Sequence, residues 1–194
     1  MNALKIVLLM LSSVLLSSCI SNVWTGASLV YDRHNVYKSL SDFQLAANSN
    51  RALYNDKVFK RADCSIDLAV FKGDILLSGN VPTAELRKEA YDRIKALDGY
   101  RRLFDQLAIS NAPTNVVQDN WITAKIRSQI IADSTIDPHA FKVVTTNQIV
   151  YLMGDVIPEE ASKVIHLARE CTGVKRVVKL FKYYNLSDQI MSKN

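Results

Sequence analysis

The chain has 194 residues, 48% of them hydrophobic and 22% charged, with 24 Lys and Arg against 19 Asp and Glu and a formal net charge of +5. That length suits one large or two small domains. The basic excess is mild and spread out, which excludes the dense cationic face of a nucleic-acid binder but allows a modest attraction to an anionic membrane surface.

The chain opens with a leader. Lys5 supplies a positive start, and Ile6 to Leu16 form an apolar run. That run falls well short of the ~20 residues a membrane span needs, so residues 1–18 read as a signal peptide. Leu16-Ser17-Ser18-Cys19 follows at once. It resembles the lipobox of bacterial lipoproteins, in which small residues admit a peptidase and the Cys sulfur carries lipid. Cys19 is then the acylated first residue and lipid anchor. Ile20 stands where an Asp would favour inner-membrane retention, which resembles the outer-membrane default. Residues 19–40 are polar and irregular and read as a lipidated tether.

The rest contains one unit twice. Gly79-Asn80-Val81 matches Gly154-Asp155-Val156, and Gly99-Tyr100-Arg101-Arg102-Leu103 matches Gly173-Val174-Lys175-Arg176-Val177. The offset of about 75 residues suits a small domain rather than a solenoid repeat. Residues 41–111 form the first copy and 119–184 the second. Each begins with a helix, about 41–55 and 119–132, although Asn48, Ser49 and Asn50 are poor helix formers. Two strands follow, about 64–71 with 74–80 and 141–147 with 149–155. Lys72-Gly73 and Asn147-Gln148 sit at their turns, where positive φ is needed. A second helix spans about 82–97 and 158–171, with Pro82 and Pro158 in its first turn and Gly99 and Gly173 as caps. A last strand, about 101–109 and 174–182, closes each unit. Pro113 marks a short linker, and residues 185–194 read as a flexible tail. The fold class is α+β: two tandem αββαβ units, each a three-stranded mixed sheet with two helices packed on one face.

This order of elements, with Gly-Asx-Val after the second strand and Gly-Val-Lys-Arg-Val before the third, resembles the BON (bacterial OsmY and nodulation) domain. Residues Asp119 to Gln129 and Val150-Tyr151-Leu152-Met153-Gly154 carry the more specific match, to outer-membrane lipoproteins with two BON copies. The resemblance implies a lipid-anchored protein of the outer membrane with its domains facing the periplasm. It also implies binding of anionic phospholipid through the second copy, upkeep of envelope integrity and a role at the division site.

No catalytic set is legible. His34, His139 and His166 have no nucleophile near them in sequence, and GxSxG, Walker and GxGxxG motifs are missing. Gly79, Gly99, Gly154 and Gly173 are spaced as structural turn and cap residues. Cys64 and Cys171 lie in different copies; they either pair in an oxidising compartment or stay as isolated buried thiols. They make no zinc motif. A non-enzymatic protein is expected, with no cofactor, metal or small-molecule substrate.

The informative element is the helix opening the second copy. Ile122, Ile126 and Ile130 fall within 80° at ~100° per residue and face the sheet. Trp121, Ala124, Lys125, Ser128 and Ile131 form a second stripe away from them, with Arg127 beside it. Tryptophan favours the membrane interface, and Lys and Arg reach lipid phosphates from there. These six residues are the candidate phospholipid-binding face. Two other readings stand: Trp121 fills a groove between the domains, or the stripe docks an envelope protein such as the outer-membrane assembly machinery. The basic last strand (Lys175, Arg176, Lys179, Lys182) either adds to lipid attraction or is a solvated edge.

Overall fold

The structure is a computed structural model and describes residues 33–184, with side chains from 41 onward. The leader, Cys19 with most of the tether, and the tail lie outside the described residues. The elements run α1 (Arg33–Tyr54), β1 (Ser65–Phe71), β2 (Asp74–Val81), α2 (Ala84–Lys95), β3 (Arg102–Ile109), α3 (Val116–Ala132), β4 (Phe141–Thr146), β5 (Ile149–Val156), α4 (Pro158–Glu170) and β6 (Arg176–Tyr183). The αββαβ order thus occurs twice. In each sheet the middle strand pairs antiparallel with the strand before it and parallel with the strand after the helix. Both sheets are mixed, as expected.

The middle strands explain the packing. Every residue of β2 is buried. Successive side chains of a strand point to opposite faces, so such a strand is covered on both sides. Ile75, Leu77 and Val81 join the core beneath α1 and α2. Leu76, one residue out of phase, joins Ala69, Tyr151, Met153 and Leu180 in a separate cluster. In β5, Val150, Leu152 and Val156 face α3 and α4 while Tyr151 and Met153 enter that same cluster. The two sheets therefore press their helix-free faces together, with the helices outermost.

Polar contacts fix this junction. Ser78 and Thr146 share a hydroxyl–hydroxyl hydrogen bond of 2.9 Å, and Asn147 Nδ2 donates to Asn80 Oδ1 at 2.9 Å. Arg101 bridges Asp74 of its own domain and Asp155 of the other. Arg102 donates to Asp74 and to the carbonyls of Leu180 and Phe181. Asp74 is 1% exposed. Burial works to raise its carboxyl pKa, but the two guanidiniums outweigh it and hold the group below its ordinary value.

Several boundaries differ from expectation. α1 begins at Arg33, inside the stretch read as tether; residues 33–40 contain no Pro or Gly to stop a helix. It also runs unbroken through Asn48, Ser49 and Asn50, because Leu45 and Leu53 anchor it in the core on either side. α3 starts at Val116, capped by the Asn115 side chain accepting from Gln118 N–H. Pro158 is in the first turn of α4, but Pro82 precedes the Thr83 cap of α2 and lies outside the helix. β6 begins two residues late, since Val174 N–H is bonded back to Cys171 C=O. Gly99 and Gly173 have positive φ, but they lie in the turns beyond Ala96 and Cys171, the residues that end α2 and α4. Gly79 and Gly154 are neither turns nor caps. They sit within β2 and β5, where an added Cβ would come 1.9 Å from Ser65 O and 2.6 Å from Ala140 O.

Candidate functional site: the outer face of α3

α3 is held by its first turn. Asp119 is 4% exposed, and its carboxylate accepts from the backbone N–H of Asn147 and of Gln148, each at 2.8 Å. Those two residues form the β4–β5 turn with φ of 55° and 63°. One side chain thereby satisfies both turn amides and locks the helix start to the hairpin tip. Gln148 Nε2 adds a bond to Gln118 Oε1 at 2.7 Å. Further along, Ile122, Ile126 and Ile130 are 0, 0 and 3% exposed. Burying three such side chains stabilises the contact by about 2 kcal/mol each. Thr123 and Thr145 share a 2.8 Å hydrogen bond. The rotation of α3 about its axis is thus set, and with it the outward face.

That outward face is partly apolar. Trp121 is 52% and Ile131 66% exposed, with Ala124, Arg127 and Ser128 also exposed and Lys125 half-buried. The Lys125 ammonium lies 4.9 Å from the centre of the Trp121 ring. Such cation–π contacts are worth about 0.5–1 kcal/mol at exposed sites, and this one places the charge beside the ring. Ser128 turns its hydroxyl inward, donating to Lys125 C=O at 2.8 Å, so it offers little to a ligand. Trp121 does not fill the domain junction, which the two sheets make without α3.

The sequence reading missed Val117, which is 81% exposed. With the true helix start, Val117, Trp121, Ala124, Ser128 and Ile131 follow spacings of 3 and 4, so they form one continuous stripe. The signal was present, but Val117 had been assigned to the linker. Lys175 just before β6, and Arg176, Lys179 and Lys182 on it, are all exposed, and the strand is a sheet edge, a position where lysine blocks edge-to-edge pairing.

Catalytic and metal chemistry have little to draw on among the described residues. His139 and His166 are exposed on the surface, and no group of three or more His, Cys, Asp or Glu could hold a metal. Cys64 and Cys171 are free, and burial raises both thiol pKa values, the opposite of nucleophile activation. No described helix is long and apolar enough to cross a membrane.

Two αββαβ units packed sheet to sheet, the second carrying an exposed Trp on its first helix, define a tandem two-domain α+β protein. The BON domain model matches residues 41–111 and 118–185, and the chain belongs to the BON family, with two copies of the domain. It is 25% identical over 185 residues to the outer membrane lipoprotein DolP of Haemophilus influenzae, covering 92% of this chain and 95% of that one. It is 26% identical to the osmotically-inducible protein Y of Escherichia coli, over 81% of this chain and 80% of the other. A 21 kDa hemolysin of Actinobacillus pleuropneumoniae is 26% identical, over 63% of this chain and 64% of its own length.

Proposed function

We propose that this chain is an outer-membrane lipoprotein, anchored through acylated Cys19 with its domains in the periplasm, that binds anionic phospholipid through α3. In this role it supports envelope integrity and acts at the division site. The observation that carries the lipid reading is the exposed stripe of Val117, Trp121 and Ile131 with Lys125 and Arg127 along it. An apolar stripe flanked by cations suits the boundary between acyl chains and phosphate headgroups. The lipoprotein reading is supported by the lipobox at Cys19 and by the likeness to DolP over nearly the full length of both chains. Two attachments then divide the labour. Acyl chains give lasting residence, at about 0.8 kcal/mol per buried CH₂. The α3 face is small and weak, and selects the lipid.

Vesicle flotation tests the lipid reading, with the anchor removed by Cys19→Ser. The chain is expected to bind phosphatidylglycerol vesicles about tenfold or more tighter than phosphatidylcholine vesicles. Trp121→Glu is expected to abolish binding without lowering the melting temperature. Equal binding to both vesicles, or binding indifferent to Trp121→Glu, overturns it. Crosslinking from position 121 that captures a protein in place of lipid favours docking to an envelope partner instead.

A further inference from the structure

The C-terminal half of α3 borders a second feature, an open groove of about 590 Å³. One wall is Phe71, the last residue of β1 in the first domain. The others come from the second domain: Arg127 and Ile131 of α3, His139, and Phe141 and Lys142 at the start of β4. The volume lies in the range of sites for small organic ligands, ~300–1,000 Å³. Among the described residues no carboxylate lines it.

Lys142 gives the groove its electrostatic character. Its Nζ donates to Val70 C=O at 3.0 Å, which leaves two N–H groups to place. Burial lowers its pKa; Asp42 and Asp67 oppose that shift, and Arg127 adds to it. Both aspartates lie outside the groove lining: Asp42 accepts from the amides of Lys72 and Gly73, and Asp67 is hydrogen-bonded to Thr146. A partly buried ammonium near a guanidinium is a place where an anion would relieve both desolvation and repulsion. Inorganic phosphate would meet those needs but leave Phe71, Ile131 and Phe141 without contact. A phosphate joined to a glycerol and the first carbons of acyl chains would use both kinds of wall. Arg127 and Ile131 also belong to the outward face of α3, so the groove opens beside the surface assigned above to the membrane.

We propose that this groove holds the phosphate and glycerol of one anionic phospholipid drawn from the membrane against which the Trp121 stripe rests. The proposal builds on the lipid-binding reading and sharpens it, since a groove is saturable and a surface stripe is not. It also gives the first domain a part in lipid binding through Phe71.

The test is titration of the full-length Cys19→Ser chain with monomeric dihexanoyl-phosphatidylglycerol below its micelle concentration, followed by amide NMR shifts. Saturation at one lipid per chain is expected. Dihexanoyl-phosphatidylcholine and inorganic phosphate are expected to bind about tenfold more weakly, as is dihexanoyl-phosphatidylglycerol to the double variant Arg127→Gln, His139→Gln. Both replaced side chains are exposed, so the fold survives. A matched control, His166→Gln with Arg169→Gln on the exposed side of α4, removes the same residue types and is expected to change nothing. No saturable site, equal affinity for inorganic phosphate, or an equal loss in the control overturns the proposal. Vesicle binding that depends on Trp121 without a saturable monomer site sinks the groove alone. A saturable monomer site with Trp121-independent vesicle binding sinks the surface reading alone.

Discussion

The helices that open the two domains share one anchoring contact to their hairpin and differ elsewhere. Asp42 of α1 and Asp119 of α3 each accept two backbone N–H bonds from the β-turn of their own domain. Counting on from those aspartates, Leu45, Ser49 and Leu53 face the first core where Ile122, Ile126 and Ile130 face the second. On the outer side, Gln44, Asn48 and Arg51 stand where α3 has Trp121, Lys125 and Ser128. The docking of the helix is a property of the fold and recurs. The outer Trp–Lys pair is thus particular to α3, whereas α1 exposes an apolar side chain at a different position, Phe43, which is 72% exposed. The junction shows a second contrast. Asp67 and Lys142 sit at equivalent register positions, each one residue beyond the strand partner of the matching glycines Gly79 and Gly154. One copy thus carries an acid where the other carries a base, and the two attract across the interface.

Substitutions at matched positions would break or sharpen this comparison. The largest effect is expected at the strand glycines. Gly79→Ala places a Cβ 1.9 Å from Ser65 O at φ +118, whereas Gly154→Ala meets Ala140 O at 2.6 Å with an ordinary φ. Thermal melts should show a loss of about 3 kcal/mol or more for Gly79→Ala and a smaller loss for Gly154→Ala. Equal losses would mean that backbone strain adds nothing to the steric clash.

Next come the turn-capping aspartates. Asp119→Ala strands two N–H groups at a buried carboxylate, and a loss of about 2–4 kcal/mol is expected from denaturant unfolding. Asp42→Ala should cost less, because Asp42 is only partly buried. The reverse order would show that burial does not set the worth of these two caps. A gain is expected at Ser49, whose hydroxyl is buried with no hydrogen-bond partner in the place Ile126 fills in the other domain. Ser49→Ala should stabilise by about 1 kcal/mol in the same assay.

The smallest effect is a pH dependence. Burial raises the Asp67 carboxyl above its ordinary 3.8, although Lys142 and Thr146 act against that. A group protonated more readily when folded costs stability once it ionises. That cost is fully present above the raised value and absent below 3.8. Asp67→Asn should therefore raise Tm at pH 7 by a degree or so, ~1 °C, with the gain shrinking as pH falls through the carboxylate range. Asp74 behaves oppositely. Its depressed pKa contributes stability at neutral pH that is lost as acid protonates it. A pH-independent gain for Asp67→Asn would remove Asp67 from the account of the junction.

Most of the fold was legible because its signals are local. Lys72-Gly73 and Asn147-Gln148 announce their turns, and three isoleucines at helical spacing announce the inner side of α3. Errors fell at element ends, where a run such as residues 33–40 is equally compatible with helix and tether until something packs against it. The alternating use of the middle strands was not legible. A continuous apolar run such as Ile75-Leu76-Leu77 shows that both faces are covered, but not by what.

By itself, the sequence determined the repeat, the αββαβ order, the turn chemistry and the two opposed sides of α3, because each depends on residues close together in the chain. Only the tertiary structure decided that the sheets meet face to face, that Trp121 is left outside that junction, and that Arg127, His139 and Lys142 surround one groove with Phe71. Those relations join residues about 70 apart through burial and register, and no local pattern encodes them.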